Sequence, residues 1–212
     1  MATLKVNTVS GIGTEGPTLD GGLHFRSKNY MTLPKGDTSQ RGRGRGVIGA
    51  GYIAPARADT IDYITIQSEG NAKDFGDLTE ARSDCANISS STRGIWAGGI
   101  VGFRNIIDFV TIATTSNATD FGDITSQRQQ PAGASNHTRG IVAGGKSPAS
   151  NPAGVNTIEF ITIASTGDTT DFGDLSIGAY MPTTFSDATR GIITAMESAS
   201  PVTNNNVIEY IT

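Results

Sequence analysis

Three short acidic clusters recur along this 212-residue chain: Asp74-Phe75-Gly76-Asp77, Asp120-Phe121-Gly122-Asp123 and Asp171-Phe172-Gly173-Asp174. Two carboxylates at such spacing are the groups that calcium ligation or general acid–base catalysis would need. An arginine recurs with them, at Arg45, Arg93, Arg139 and Arg190. A catalytic set converges once, whereas these residues are copied. The acids are therefore expected to cap turns or to pair with the repeat arginines between neighbouring units.

Other reactive groups are sparse. The two histidines, His24 and His137, cannot build a His-rich metal centre, and a copper site of His, Tyr and a reactive Cys is not supplied by them with Cys85. A Gly-x-Ser-x-Gly elbow, a phosphate-cradling Gly-Lys-Ser/Thr loop and a His-Glu-x-x-His helix are all absent. Neither an enzyme nor a bound cofactor is expected. Arg41-Gly42-Arg43-Gly44-Arg45-Gly46 has the composition of a nucleic-acid contact, but Arg45-Gly46 already belongs to the repeated Arg-Gly. With a net charge of -4, no binding to nucleic acid is expected. Trp96, Tyr63, Phe109, Phe160 and Tyr210 could stack on sugars, but at strand positions they are expected in the core.

Composition says which elements must position these groups. Thr 27, Ser 18 and Gly 27 dominate, and Ile plus Val (22 + 9) outnumber the six Leu about five to one. β-Branched residues fit a pleated sheet and glycines fit turns, so the fold class is all-β. One cysteine cannot form an intrachain disulfide, which leaves packing or assembly to hold the fold. No apolar run approaches the roughly 20 residues of a membrane span, so no membrane insertion is expected.

Three blocks recur in fixed order. The first is Thr92-Arg93-Gly94-Ile95-Trp96-Ala97-Gly98-Gly99, copied at 138–145 as far as Gly144-Gly145, with its opening glycines at Gly140 and Gly191 in later copies and a degenerate copy at 44–51. The second is Ile107-Asp108-Phe109-Val110-Thr111-Ile112, with copies at 61–66, 158–163 and 208–212. The third is the acidic cluster around Phe75, Phe121 and Phe172, spaced 46 and then 51 residues apart. Each block predicts a strand, and the second carries large apolar groups on both faces, which suits sheets stacked face to face. A weaker strand is expected near 86–90, 132–136 and 184–187. The repeat units are 42–91, 92–137, 138–188 and a partial 189–212.

Four short strands per unit, with a glycine pair ending one and an aromatic residue on the last, resemble the kelch-like, galactose-oxidase-type β-propellers. The resemblance rests on Gly98-Gly99 and Gly144-Gly145, with Phe121 and Phe172 where that family usually has Trp, and covers residues 44–212. It implies about three and a half blades per chain. Closed propellers have about 4 to 8 blades, so the expectation is a ring completed by further copies, a longer protein of which this chain is the ordered part, or an open stack capped by a partner.

Residues 1–41 do not repeat. A short alternating stretch, Leu4-Lys5-Val6-Asn7-Thr8-Val9, is followed by Gly11, Gly13, Gly16-Pro17 and Gly21-Gly22, then by Leu23-His24-Phe25-Arg26 and Leu33-Pro34-Lys35-Gly36-Asp37-Thr38. This layout resembles the N-termini of virion proteins, especially tail-fibre-like and other structural proteins of marine cyanobacterial phages. The resemblance implies a virion structural protein, made in the host cytoplasm and assembled into the particle, with residues 1–41 as an extended anchor. Leu4, Val6, Val9, Leu23, Phe25, Tyr30 and Leu33 are the candidate anchoring contacts. The repeats Phe75, Phe121, Phe172, Gly94, Gly98, Gly99, Gly140, Gly144, Gly145 and Gly191 are given structural roles. Expected partners are other virion proteins and further copies of the chain, with a host receptor or glycan as the alternative and a propeller-type enzyme as a second alternative.

Overall fold

The computed structural model describes residues 44–66, 68–149, 154–194, 197–199, 202–204 and 206–212, and the candidate anchoring residues Leu4, Val6, Val9, Leu23, Phe25, Tyr30 and Leu33 lie outside them. All regular structure among the described residues is strand, as the β-branched composition dictates. A first sheet joins β1 (Arg45–Ile53), β2 (Ala56–Thr65) and β3 (Lys73–Asp77). The second joins β4 (Ala86–Ser89), β5 (Arg93–Ala97), β6 (Arg104–Thr111) and β7 (Thr119–Arg128). The third repeats it with β8 (Ala132–Ser135), β9 (Arg139–Ala143), β10 (Val155–Thr162) and β11 (Thr170–Ala179). In the fourth, β12 (Thr183–Ser186) pairs with β13 (Gly191–Thr194), which pairs with β16 (Ile208–Ile211), while β14 (Glu197–Ala199) and β15 (Val202–Asn204) form a separate hairpin. Within every sheet the strands follow chain order and are antiparallel.

The weak strands predicted near 86–90, 132–136 and 184–187 form as β4, β8 and β12. Each pairs with the Arg-Gly strand that follows it, as in Ala86↔Ala97 and Ala132↔Ala143, so each sheet starts before its arginine. The turn between them is short and capped by a side chain. Ser90 Oγ accepts from the Thr92 and Arg93 N–H groups, Asn136 Oδ1 from Thr138 and Arg139, and Asp187 Oδ1 from Thr189 and Arg190. Three residue types thus do one job, because each offers an oxygen two bonds or three from its own backbone.

Phe75, Phe121 and Phe172 owe their inward aim to a bulge. Ile107 faces Gly122 and Asp108 faces Asp120, so Phe121 is the extra residue, and the same slip skips Phe75 in the first sheet and Phe172 in the third. Each ring then meets the aromatic residue of the neighbouring strand edge-on: Tyr63–Phe75 at 5.9 Å, Phe109–Phe121 at 5.7 Å and Phe160–Phe172 at 6.3 Å. Phe75 and Phe121 are buried, while Phe172 is half-buried.

The core lies between sheets. Ile61, Phe75 and Leu78 of the first pack on Trp96 and Val110 of the second, and Ile95, Ile107 and Phe121 of the second pack with Val142 and Ile161 of the third. Leu175 and Ile158 of the third meet Ile193 of the fourth. The first strands β4, β8 and β12 lie against one another. There Ser135 Oγ accepts from the Ser89 N–H at 3.1 Å and donates to the Ser89 carbonyl at 2.8 Å, and Ser186 Oγ repeats this on Ser135 at 3.2 and 2.8 Å.

Sheets approach so closely that glycine is required at the bulge. A Cβ at Gly122 (φ +145°) would stand 2.5 Å from the Gly167 carbonyl of the next sheet, whereas one at Gly173 (φ +140°) meets nothing within 4 Å. Both positions share the backbone strain, so Gly173→Ala is expected to cost about 1–3 kcal/mol. Gly122→Ala is expected to cost about 1–3 kcal/mol more, because the sheets must also separate. Urea unfolding of the two variants measures the difference, and equal losses would contradict the close-approach account.

Candidate functional site

The polar residues that converge in this protein do so between sheets. Asp108, on β6, is fully buried, and its carboxylate meets the Arg82 guanidinium at 3.0 Å, with Arg82 also fully buried. Thr79 donates to the same carboxylate through its hydroxyl at 2.7 Å and its N–H at 3.2 Å. Thr79 and Arg82 follow β3 of the preceding sheet. One repeat later, Glu159 on β10 is held by Arg128, by the Thr125 hydroxyl and N–H, and by Thr169 Oγ1. In the third copy Glu209 accepts from the hydroxyl and N–H of Ser176, and Ala179 stands where Arg82 and Arg128 stood.

This arrangement follows from charge in a low-dielectric space. A carboxylate among isoleucines needs a cation and donors, or the unpaired charge would cost several kcal/mol. Glu209 is half-buried and reaches water, so serine donors suffice. Burial also pushes the Arg128 guanidinium down from its ordinary pKa, while Glu159 pulls it back up. Beside Arg82, burial pushes the Cys85 thiol above its ordinary pKa. At the rim, Arg104 makes a two-pronged contact with Glu80 at 2.7 Å for each bond, which holds that carboxyl below its usual range.

The repeat arginines take other partners than the acids expected of them. Arg45 lies over the Tyr63 ring at 4.5 Å, Arg93 over Phe109 at 4.5 Å, Arg139 over Phe160 at 4.6 Å and Arg190 over Tyr210 at 4.7 Å. The first two also reach the next sheet: Arg45 Nη1 donates to the Ile112 carbonyl at 2.9 Å and Arg93 Nη1 to the Ile163 carbonyl at 2.7 Å. The acids of the Asp-Phe-Gly-Asp clusters are exposed and present their backbone instead. Asp77 N–H donates to Asn117 Oδ1 at 3.1 Å and Asp123 N–H to Asp168 Oδ1 at 2.9 Å. Inter-sheet ion pairs therefore join Arg82 to Asp108 and Arg128 to Glu159, and no ion pair among the described residues joins the repeat arginines to the Asp-Phe-Gly-Asp acids. The signal was a carboxylate repeated between an isoleucine and an aromatic residue in sequence, Ile107-Asp108-Phe109 and Ile158-Glu159-Phe160.

The glycines fall into two roles. Gly98 and Gly99 (φ +65° and +117°) and Gly144 and Gly145 (φ +63° and +93°) turn the chain out of β5 and β9 in the left-handed region. Gly140 admits Ile88, whose Cγ2 would lie 2.4 Å from a Cβ there, and Gly191 admits Ile211 at 3.1 Å. Gly94 has ordinary clearance of 3.6 Å.

No group of three or more His, Cys, Asp or Glu among the described residues is placed to hold a metal ion. A cavity of about 440 Å³ opens between β1 and β4–β5, lined by residues such as Gly46, Ile48, Ile88, Ser89 and Trp96, and Arg45 is the charged residue on its wall. It carries neither a carboxylate nor an imidazole to act as acid or base. No protein-family model matches the chain, and no curated protein matches it.

Two outcomes test the inter-sheet contacts. Arg128→Ala is expected to destabilise the protein by about 3–5 kcal/mol, since it strands Glu159, whereas Arg128→Met with Glu159→Leu should lose nothing or gain about 1–4 kcal/mol. Chemical denaturation reads both, and a double variant as unstable as the single one would refute the stranded-charge account. The turn cap gives the second. The Thr189 and Arg190 N–H groups hold the Asp187 carboxyl below its ordinary value of 3.8. Its stabilising effect is then present above about pH 4 and lost as pH falls through the depressed native value. Asp187→Asn, which copies Asn136, should keep the turn and remove that acid-side loss, as read by melting temperature between pH 2 and 7.

Proposed function

We propose that the chain is a non-enzymatic structural protein of a phage particle, a tail-fibre, tail- or baseplate-associated or head-decoration component. In this reading the sheets are kelch-like propeller blades, residues 1–41 dock on neighbouring virion proteins, and the protein works in several copies. The observation that carries it is the use the repeats make of their polar side chains. Arg82, Arg128, Asp108, Glu159, Ser135 and Ser186 all tie one sheet to the next, which is the work of a scaffold. Four-stranded meanders whose first strands lie together also support the blade reading, because such strands line the axis of a propeller.

One feature favours a second reading, a receptor- or glycan-binding module. The segments between each Arg-Gly strand and the next strand of its sheet differ in every copy, from the tight turn after Ile53 to the inserted β14–β15 hairpin. Variable loops on a constant scaffold are where binding specificity is commonly carried. Binding of the full chain to a glycan array or to host cells at high valency would support it.

The chain is expected in purified particles by mass spectrometry, and its absence there would overturn the virion reading. A chain lacking residues 1–41 is expected to fold but to be missing from particles. Incorporation of that shortened chain at the wild-type level would overturn the anchoring role while leaving the virion reading intact.

A further inference from the structure

Among the described residues β1 is paired along one edge, with β2, whereas its counterparts β5, β9 and β13 are paired along both, with β4, β8 and β12 on the second. The other edge of β1, at residues 46–49, faces a cavity of about 440 Å³ whose opposite wall includes Asn87, Ile88 and Ser89 of β4. Asn87 and Ser89 are exposed there, whereas Gly133 and Ser135, at the same register positions of β8, are half-buried against β4. Each later serine of the ladder bridges the backbone of the strand before it, as Ser135 does on Ser89 and Ser186 on Ser135. Ser89, the first of the ladder, borders the cavity.

The residue that enters β1 already has the conformation of a hairpin turn. Gly44 stands at φ +61°, and its carbonyl accepts from the Ile66 N–H at 2.6 Å, as the Thr92 carbonyl accepts from Ile112 at 2.9 Å and the Thr138 carbonyl from Ile163 at 2.8 Å. Gly44 therefore holds the last place of the turn that, in the other sheets, joins the first strand to the Arg-Gly strand. That turn has three residues each time, 90–92, 136–138 and 187–189. Three-residue hairpin loops commonly close on a residue in the left-handed region, which glycine reaches without strain. Counted back from Gly44, the loop is Gly42-Arg43-Gly44, and Thr38-Ser39-Gln40-Arg41 falls in register with Ala86-Asn87-Ile88-Ser89.

We propose that residues 38–41 of this chain occupy the cavity as a fourth strand of the first sheet, antiparallel to β1 and laid on β4. Arg41 then stands opposite Gly46, Gln40 opposite Val47, Ser39 opposite Ile48 and Thr38 opposite Gly49, and Ser89 bridges the Arg41 backbone as Ser135 bridges that of Ser89. The two arginines of the Arg-Gly run that lie outside the repeat find their places, Arg41 in the strand and Arg43 in its turn. The inference rests on the fold and stands independently of the virion reading, but it bears on the test of anchoring. A chain lacking residues 1–41 loses this strand along with the arm, whereas a chain lacking residues 1–36 keeps it.

The experiment is a disulfide trap in the full chain. In the second sheet the Ser90 N–H donates to the Arg93 carbonyl at 2.9 Å, so Ile88 and Ile95 form a hydrogen-bonded pair and Asn87 and Trp96 a non-hydrogen-bonded one. Ser39 and Ile48 match the latter, where Cα atoms lie about 4.5 Å apart, within reach of a disulfide. Ile48 is 55% exposed, so replacing it leaves the core intact. Ser39→Cys with Ile48→Cys, treated with oxidised glutathione, is expected to lose two hydrogens at the mass of a single chain. Trypsin, which cuts at Arg41, Arg43 and Arg45, should then leave the two peptides joined. Gln40→Cys with Ile48→Cys, slipped by one residue onto opposite faces, should bridge at least about 10-fold more slowly. No bridge, or equal bridging by both pairs, would overturn the proposal, and a bridge between two chains would assign the strand to another copy and overturn it equally. In the unsubstituted chain, the Val47 amide should exchange with solvent as slowly as that of Ile95, its counterpart in β5. Exchange of Val47 at the rate of an open edge would also overturn the proposal.

Discussion

Asp108 and Glu159 are fully buried carboxylates among isoleucines and valines, and their charge fixes how the sheets stack. Neither carboxylate has water to turn to, so each requires donors aimed at one point. Those donors come from the end of the preceding unit, from Thr79 with Arg82 and from Thr125 with Arg128. Hydrophobic contact alone would let two sheets slide by a residue at small cost. A buried ion pair makes every register but one expensive, because slipping would strand both charges.

Two further ties flank that pair. The serine ladder of β4, β8 and β12 fixes backbone to backbone, and Arg45 and Arg93 reach from their own aromatic rings to carbonyls of the next sheet. Small residues make both possible. A Cβ at Gly133 would lie 2.5 Å from the Asn87 carbonyl, so β8 can lie on β4 only without a side chain there. The repeat is thus kept within the chain where sheets touch and varies in the segments that follow each Arg-Gly strand.

The strands and their period were legible in the sequence because each copy states them again in local alternation, as in Ile-Asp-Phe-Val-Thr-Ile. The bulge that aims Phe121 inward was not, since Asp-Phe-Gly-Asp alternates like an ordinary strand and only pairing with β6 exposes the extra residue. Nor was the grouping of β4 with the strand after it: its alanines and serines carry little pattern, and turn chemistry at Ser90 decides the pairing. Arg82 and Arg128 carry no local sequence signal, for a different reason. Ala179 breaks their repeat, and their acids lie 26 and 31 residues away, beyond any local signal.

That broken repeat has an energetic consequence for the stack. Stability in such an array is close to a sum of units and nearest-neighbour contacts, so the weakest contact opens first. The third junction lacks the arginine, its Glu209 is half-buried, and Phe172 is less covered than Phe121. The fourth sheet is therefore the end most easily lost from a lone chain. It is also the sheet whose outer face carries Phe185, Ile208 and Tyr210. Any ligand that bound only the folded fourth sheet would stabilise this weakest junction by mass action.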